Sequence, residues 1–247
     1  MPASADSAPV ALVTGGSQRL GAHLVAALHA RGMRVAVHYH RSESAARGLC
    51  AALDAQRRGA TFAVGADLTD PAAPDALVRA VAARWGRMDL LVNNAAVFRP
   101  TPLDDSALTD WDEILGVNLR APYFTARAAA PLLRASRGLI VNLVDIYAER
   151  PRTEFTIYCA SKAGLVGVTR ALARELAPDV RVNAIAPGAI LWSSEASEAE
   201  QQAILGRTPL ARLGEPADIA RAVHYLVDAP YVTGQVLTVD GGRSIFD

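Results

Sequence analysis

Seven short apolar runs, separated by longer stretches of mixed polarity, constrain what this chain can fold into more than any other feature. They fall at residues 10–13, 34–39, 61–64, 89–92, 139–144, 181–185 and 236–239. A run this short, bounded by turn residues and apolar almost throughout, is the pattern of a strand covered on both faces. Residues 20–30, 44–56 and 71–85 between them are amphipathic and helix-like. Alternation of this kind implies right-handed βαβ units. The predicted fold class is α/β: a doubly wound, seven-stranded parallel sheet with helices on both faces. Apolar residues make up 51% of the 247, enough for a core of that size. No linker rich in Pro, Gly or Ser divides the chain. Residues 1–8 read as a flexible tail and 9–247 as a single domain. The stretch 191–212 reads as irregular and longer than a normal connection, as substrate loops at the C-terminal edge of such sheets are.

Bulk properties exclude several partners. Lys plus Arg and Asp plus Glu both number 25, which gives no reason to expect nucleic acid or an anionic membrane. Cys50 and Cys159 lie far apart and suit a reducing compartment rather than a disulfide framework. His38 and His40 share a strand face, but the histidines lack the spacing of zinc ligands and no metal is expected. The N-terminus lacks a basic segment followed by an apolar one. No run approaches the roughly 18 apolar residues of a membrane helix. The expected location is the cytoplasm.

The turn after the first run is Thr14-Gly15-Gly16-Ser17-Gln18-Arg19-Leu20-Gly21. Glycines there permit close approach of backbone N–H groups to a pyrophosphate at a helix N-terminus, the dinucleotide site of a Rossmann fold. Arg19 stands where glycine would be the simplest choice, and its guanidinium suits phosphate. An NAD-specific site places a carboxylate at the end of the second strand. This chain has His38-Tyr39-His40-Arg41-Ser42 there, which favours the 2′-phosphate of NADPH over a plain basic turn. Asp67, followed by Leu68, could accept from an adenine amino group or simply cap a turn. Asn94 and Ala95 follow the fourth run, at the sheet edge where ligands bind. Asn118, in an amphipathic stretch, reads equally as a satisfied core amide or as part of a proton relay. Pro187-Gly188 shapes the turn after the sixth run.

Tyr158 and Lys162, four residues apart, share one face of a helix. An ammonium beside a phenol favours the phenolate and lowers its pKa from about 10, making Tyr158 a proton donor near neutral pH. Asp145, thirteen residues before Tyr158 at the end of the fifth run, is a second proton-handling group.

Taken in order, the 14–21 turn, Asn93-Asn94-Ala95, Asn118, the Tyr158/Lys162 pair, Pro187-Gly188 and the closing Thr238-Val239-Asp240-Gly241-Gly242 resemble the short-chain dehydrogenase/reductase family over nearly the whole chain. The resemblance implies a tyrosine acid/base, a lysine holding the nicotinamide ribose, and a helix asparagine supporting a water relay. It also implies cofactor contacts at Gly15, Gln18, Arg19, Leu20, His40, Arg41, Ser42, Asp67, Leu68, Asn94, Ala95, Pro187, Gly188 and Ile190. A serine normally stands where this chain has Asp145. That departure, with Arg19, the 38–42 segment and Phe98 before Pro100-Thr101-Pro102, resembles the pteridine reductase branch, which uses NADPH on dihydropterins and, in some members, folates. The implied substrate contacts are Arg19, Ala96, Phe98, Asp145, Tyr158 and Trp192, with the pterin ring stacked between Phe98 and the nicotinamide. An apolar core role is the alternative for Phe98. Ala96 and Arg99 depart from the pattern of protozoan members, where a serine and a tyrosine stand. The resemblance also implies a homotetramer. The rival readings are a 3-oxoacyl-carrier-protein or other carbonyl reductase, and a non-catalytic NADPH-binding sensor.

Overall fold

A computed structural model describes residues 8–192 and 197–245. Seven strands are present: β1 (Val10–Val13), β2 (Arg34–Tyr39), β3 (Thr61–Gly65), β4 (Leu90–Asn93), β5 (Leu139–Leu143), β6 (Arg181–Pro187) and β7 (Val236–Val239). They form one parallel sheet in the order β3-β2-β1-β4-β5-β6-β7. Strand order reverses between β1 and β4, the switch point where such folds bind dinucleotides. The predicted fold class is the observed one.

Among the described residues, eight α-helices accompany the sheet: α1 (Arg19–Ala30), α2 (Glu43–Asp54), α3 (Ala73–Trp85), α4 (Leu108–Leu115), α5 (Ala121–Ser136), α6 (Thr156–Glu175), α7 (Glu198–Gly206) and α8 (Pro216–Asp228). Alternate residues of a strand face opposite sides, and β1 shows the division. Ala11 and Val13 pack with Leu24, Leu28, Cys50 and Val223 from α1, α2 and α8. Val10 and Leu12 pack with Leu77, Val81, Leu133 and Leu172 from α3, α5 and α6.

The structure corrects two expectations. The 191–212 stretch is not wholly irregular, because α7 occupies its middle. Ser197 Oγ accepts from Glu200 N–H at 3.3 Å and Glu200 Oε2 accepts from Ser197 N–H at 3.0 Å, a reciprocal cap that starts the helix. Residues 193–196 of that loop, and the tail apart from Ala8, lie outside the described residues. The helix carrying Asn118 is also not uniform, since α4 passes into a π-helical turn at Gly116–Arg120. Such turns accompany functional sites.

A buried chain of side chains fixes α6 against the sheet. Asn93 Nδ2 donates to Asn142 Oδ1 at 2.8 Å, and Asn142 Nδ2 donates to Thr169 Oγ1 at 2.9 Å. All three residues are buried, where an unpaired amide would be costly. The first turn of α1 is equally tight. A Cβ on Gly21 would lie 2.0 Å from the Gly15 carbonyl oxygen. Gly21→Ala is expected to cost about 3 kcal/mol, the upper end of overpacking penalties. An unchanged denaturation midpoint in urea would contradict this packing.

Candidate active site

The glycine-rich turn is shaped from within. Gly15 has φ +60° and Arg19 has φ +48°, so an arginine does occupy a left-handed position that favours glycine. His38, on β2, locks the turn in place. Gly15 N–H donates to its Nδ1 at 2.9 Å, so Nε2 carries the proton and donates to Ala66 O at 3.1 Å. Burial pushes the His38 pKa down to about 4, so the ring stays neutral and keeps this tautomer. Asn94 closes the other side: its Nδ2 donates to Thr14 O at 2.9 Å and Gly15 O at 3.0 Å. Ala95 N–H donates to Thr14 Oγ1 at 3.1 Å. Both residues brace the turn from β4 with groups already engaged by protein.

Past β2, His40 and Arg41 are exposed, and Ser42 Oγ lies 2.7 Å from Ser17 Oγ. The first carboxylate after the strand, Glu43, is drawn to Arg47 at 2.8 Å. Asp67 Oδ1 accepts from Thr69 N–H and Oγ1, and Oδ2 lies 3.4 Å from His40 Nε2. The turn reading of Asp67 is therefore the one its present contacts show. Leu68 and Ile190 are buried, Leu20 is half-buried, and Gln18 is exposed at the start of α1. Pro187 ends β6, and Gly188 N–H donates to Val239 O at 3.0 Å. Arg19 Nη2 donates to Trp192 O at 3.2 Å, joining the turn to the chain just before residue 193. This cradle fits a dinucleotide. Arg19 stands at the start of α1, Gly15 and Gly21 leave no room for a Cβ, and β2 ends without an unpaired carboxylate.

Asp145, Tyr158 and Lys162, the candidate reacting groups, converge at the end of β5. Tyr158 hydroxyl donates to Asp145 Oδ2 at 2.9 Å, and Tyr147 N–H donates to Asp145 Oδ1 at 2.9 Å. Lys162 Nζ donates to Leu143 O at 2.8 Å and lies 5.7 Å from the Tyr158 ring centroid. Burial pushes the Asp145 carboxyl above the usual carboxylate range. Burial and the Asp145 carboxylate push the Tyr158 phenol well above its usual value. Here the structure departs from the sequence expectation. Burial also lowers Lys162 to about 8, and its ammonium lies over the ring rather than at the hydroxyl, which is bonded to Asp145. Burial first and Asp145 second, rather than Lys162, keep the phenol protonated.

Asn118 is a satisfied core amide. Its Oδ1 accepts from Val97 N–H at 2.8 Å, and its Nδ2 donates to Val97 O at 3.0 Å and Ser161 Oγ at 3.1 Å. Ser161 Oγ donates in turn to Tyr158 O at 2.6 Å, so Asn118 buttresses the turn of α6 that carries Tyr158.

Phe98 is 49% exposed, which excludes the core role. Its ring stacks on Phe155 at 4.7 Å and meets Tyr158 edge-on at 4.7 Å. Ala96 is exposed beside it. Arg99 is drawn away to α4, pairing with Asp110 at 2.6 Å and Glu113 at 2.5 Å. Sequence reasoning missed His38 as the turn's lock, along with Phe155, Tyr147 and Arg243. Spacing alone does not mark these residues, because fold, not periodicity, brings them to the site.

Residues 16–244 match a family profile described as enoyl-(acyl carrier protein) reductase. Pteridine reductase 1 of Leishmania tarentolae is 36% identical over 284 residues, covering 98% of each chain. A 3-oxoacyl-[acyl-carrier-protein] reductase of Synechocystis is 36% identical over 248 residues, covering 98% of this chain and all of the relative. A 3beta-hydroxysteroid dehydrogenase 1 of Eggerthella lenta is 36% identical over 244 residues, covering 95% of this chain and 93% of the relative.

His38→Leu removes the acceptor for Gly15 N–H and the donor for Ala66 O. Each orphaned group costs about 1–3 kcal/mol. Affinity for a nicotinamide dinucleotide, measured by fluorescence titration, is expected to fall about tenfold with the circular dichroism spectrum retained. Unaltered affinity would show that His38 does not hold the turn.

Proposed function

The chain belongs to the short-chain dehydrogenase/reductase family, and within it we propose an NADPH-dependent pteridine reductase acting on the C=N bond of a dihydropterin or dihydrofolate-like substrate. The observation that carries this reading is the hydrogen bond from Tyr158 to Asp145. A carbonyl oxygen gaining charge needs donors around it, and an ionised carboxylate cannot donate. A pterin instead offers its 2-amino group and N3–H as donors, which a fixed carboxylate can accept. Half-exposed Phe98, stacked on Phe155, gives the flat ring system a surface to lie on. His40, Arg41 and Ser42 suit the 2′-phosphate of NADPH, since Glu43 is occupied by Arg47.

When bound, NADPH supplies the hydride. The chain's own residues supply the proton. Tyr158 rests as a neutral phenol because burial and Asp145 both oppose its ionisation. It gives that proton to the ring nitrogen beside the carbon being reduced. Asp145 rests as the carboxylate that accepts from Tyr158; after the transfer its raised pKa lets it take up a proton from solvent and pass it to the phenolate, restoring the phenol. The Lys162 charge offsets the negative charge passing through the pair.

A second reading, a 3-oxoacyl reductase, is favoured by the name of the Synechocystis relative. NADPH oxidation with dihydrobiopterin, dihydromonapterin, dihydrofolate and a 3-oxoacyl thioester separates the two. Turnover confined to the thioester would remove the pterin reading. Asp145→Ser is expected to lower pterin kcat/KM by roughly 100-fold while NADPH affinity stays within about twofold; full activity would contradict the role of Asp145.

Lys162 acts as a cation, and burial lowers its pKa to about 8. It is charged below that value and neutral above it. Pterin kcat/KM is therefore expected to fall as pH rises through about 8, and Lys162→Met should abolish that limb. A flat profile from pH 7 to 10 in the wild-type enzyme would count against a charged Lys162.

A further inference from the structure

Two arginines crowd one aromatic ring at the edge of the site. Arg152 Cζ lies 4.5 Å from the Phe155 centroid and 6.0 Å from the Tyr147 centroid. Arg243 Cζ lies 5.5 Å from the Tyr147 centroid, and its Nη2 donates to the Tyr147 hydroxyl at 3.0 Å. Ring contacts lead from this pair to the reacting groups, since Phe155 stacks on Phe98 and lies 6.5 Å edge-on from Tyr158.

Both arginines sit on anchored backbone. Phe155 N–H donates to Arg152 O at 3.2 Å, and Thr101 N–H donates to Glu154 O at 2.6 Å. Arg243 opens the last helical turn, which Asp240 ties through Gly242 N–H at 2.9 Å and Ser244 N–H at 2.6 Å. Among the described residues, no carboxylate lies within ion-pair distance of either guanidinium, whereas Arg31, Arg47, Arg87, Arg127, Arg212 and Arg221 each pair with one and Arg99 with two. Asp145, whose carboxyl feels the Arg243 charge, is hydrogen-bonded to Tyr158 and Tyr147 instead. Glu200 of α7 faces Arg152 at longer range and is bound to Ser197.

A guanidinium resting on an aromatic face keeps edge donors for a carboxylate or phosphate, and Arg243 retains several besides the one given to Tyr147. We propose that Arg152 and Arg243 form an anion-binding rim that selects substrates with a carboxylate or phosphate tail, while the head group lies at Phe98, Asp145 and Tyr158. The rim rests on the pteridine reading only for the identity of that head group. Two positive charges at the mouth also raise the local concentration of anionic substrate.

The test uses the full-length enzyme with NADPH and the double variant Arg152→Gln/Arg243→Gln. The quantity read is the ratio of kcat/KM for dihydrofolate, with its glutamate tail, to that for dihydrobiopterin, whose tail is uncharged. A general loss through a displaced Tyr147 cancels in this ratio. The double variant is expected to lower the ratio about tenfold, Arg152→Lys/Arg243→Lys should restore part of it, and added salt should compress the wild-type ratio. If the wild-type enzyme turns over only thioesters, the pteridine reading fails. The same ratio for acetoacetyl-coenzyme A against acetoacetyl-N-acetylcysteamine then tests the rim with a phosphate source. An unchanged ratio in whichever pair is turned over overturns the rim.

Discussion

The position of α6 relative to the sheet is set by the buried chain from Asn93 through Asn142 to Thr169, and the rest of the site depends on it. Apolar packing alone tolerates small slides of a helix across a sheet, because dispersion is non-directional. Side-chain amides are directional, and in a dry interior a misplaced one costs a full hydrogen bond. The chain therefore fixes one register of α6 on β4 and β5. That register brings Tyr158 to Asp145 and Lys162 to the carbonyl of Leu143. Asn118, in its π turn, performs the same task from the other side through Ser161.

Two electrostatic regimes meet across the switch point. On the cofactor side the dominant device is neutrality: a buried imidazole held uncharged so that it can accept from Gly15. On the substrate side the dominant device is competition. Asp145 is packed closely enough to both Tyr158 and Lys162 that its charge alters which of them holds a proton. An imidazole that charged at neutral pH would repel the backbone donor it must hold, and a fully ionised reaction centre would have no proton to give.

The fold was legible in the chain because strands covered on both faces leave continuous apolar runs, and all seven were readable as such. The helix α7 was hidden because its apolar face is weak. Only Ser197 with Glu200, a capping pair, marks where it starts. The pairing of Asp145 with Tyr158 followed from spacing and motif; Arg19 stood out as a residue where glycine is the simplest choice, but its left-handed backbone was visible only in the structure. The ionisation of Tyr158 did not follow. Sequence places Lys162 one helical turn away, but only the three-dimensional packing shows the carboxylate closer to the hydroxyl than the ammonium is. The contribution of Arg243 was out of reach for a similar reason. It lies 96 residues from Tyr147, and nothing local forecasts that contact.

The left-handed Arg19 sets stability against chemistry at one residue. A non-glycine side chain in that region carries roughly 1 kcal/mol of backbone strain, and the fold holds it without relief. Any engineering scheme that ranks substitutions by local conformational preference will select Arg19→Gly as a gain. The same change deletes the guanidinium that bridges the dinucleotide turn to Trp192. A thermostabilised descendant of this protein would thus be drawn toward losing a side chain that ties the glycine-rich turn to the chain after β6.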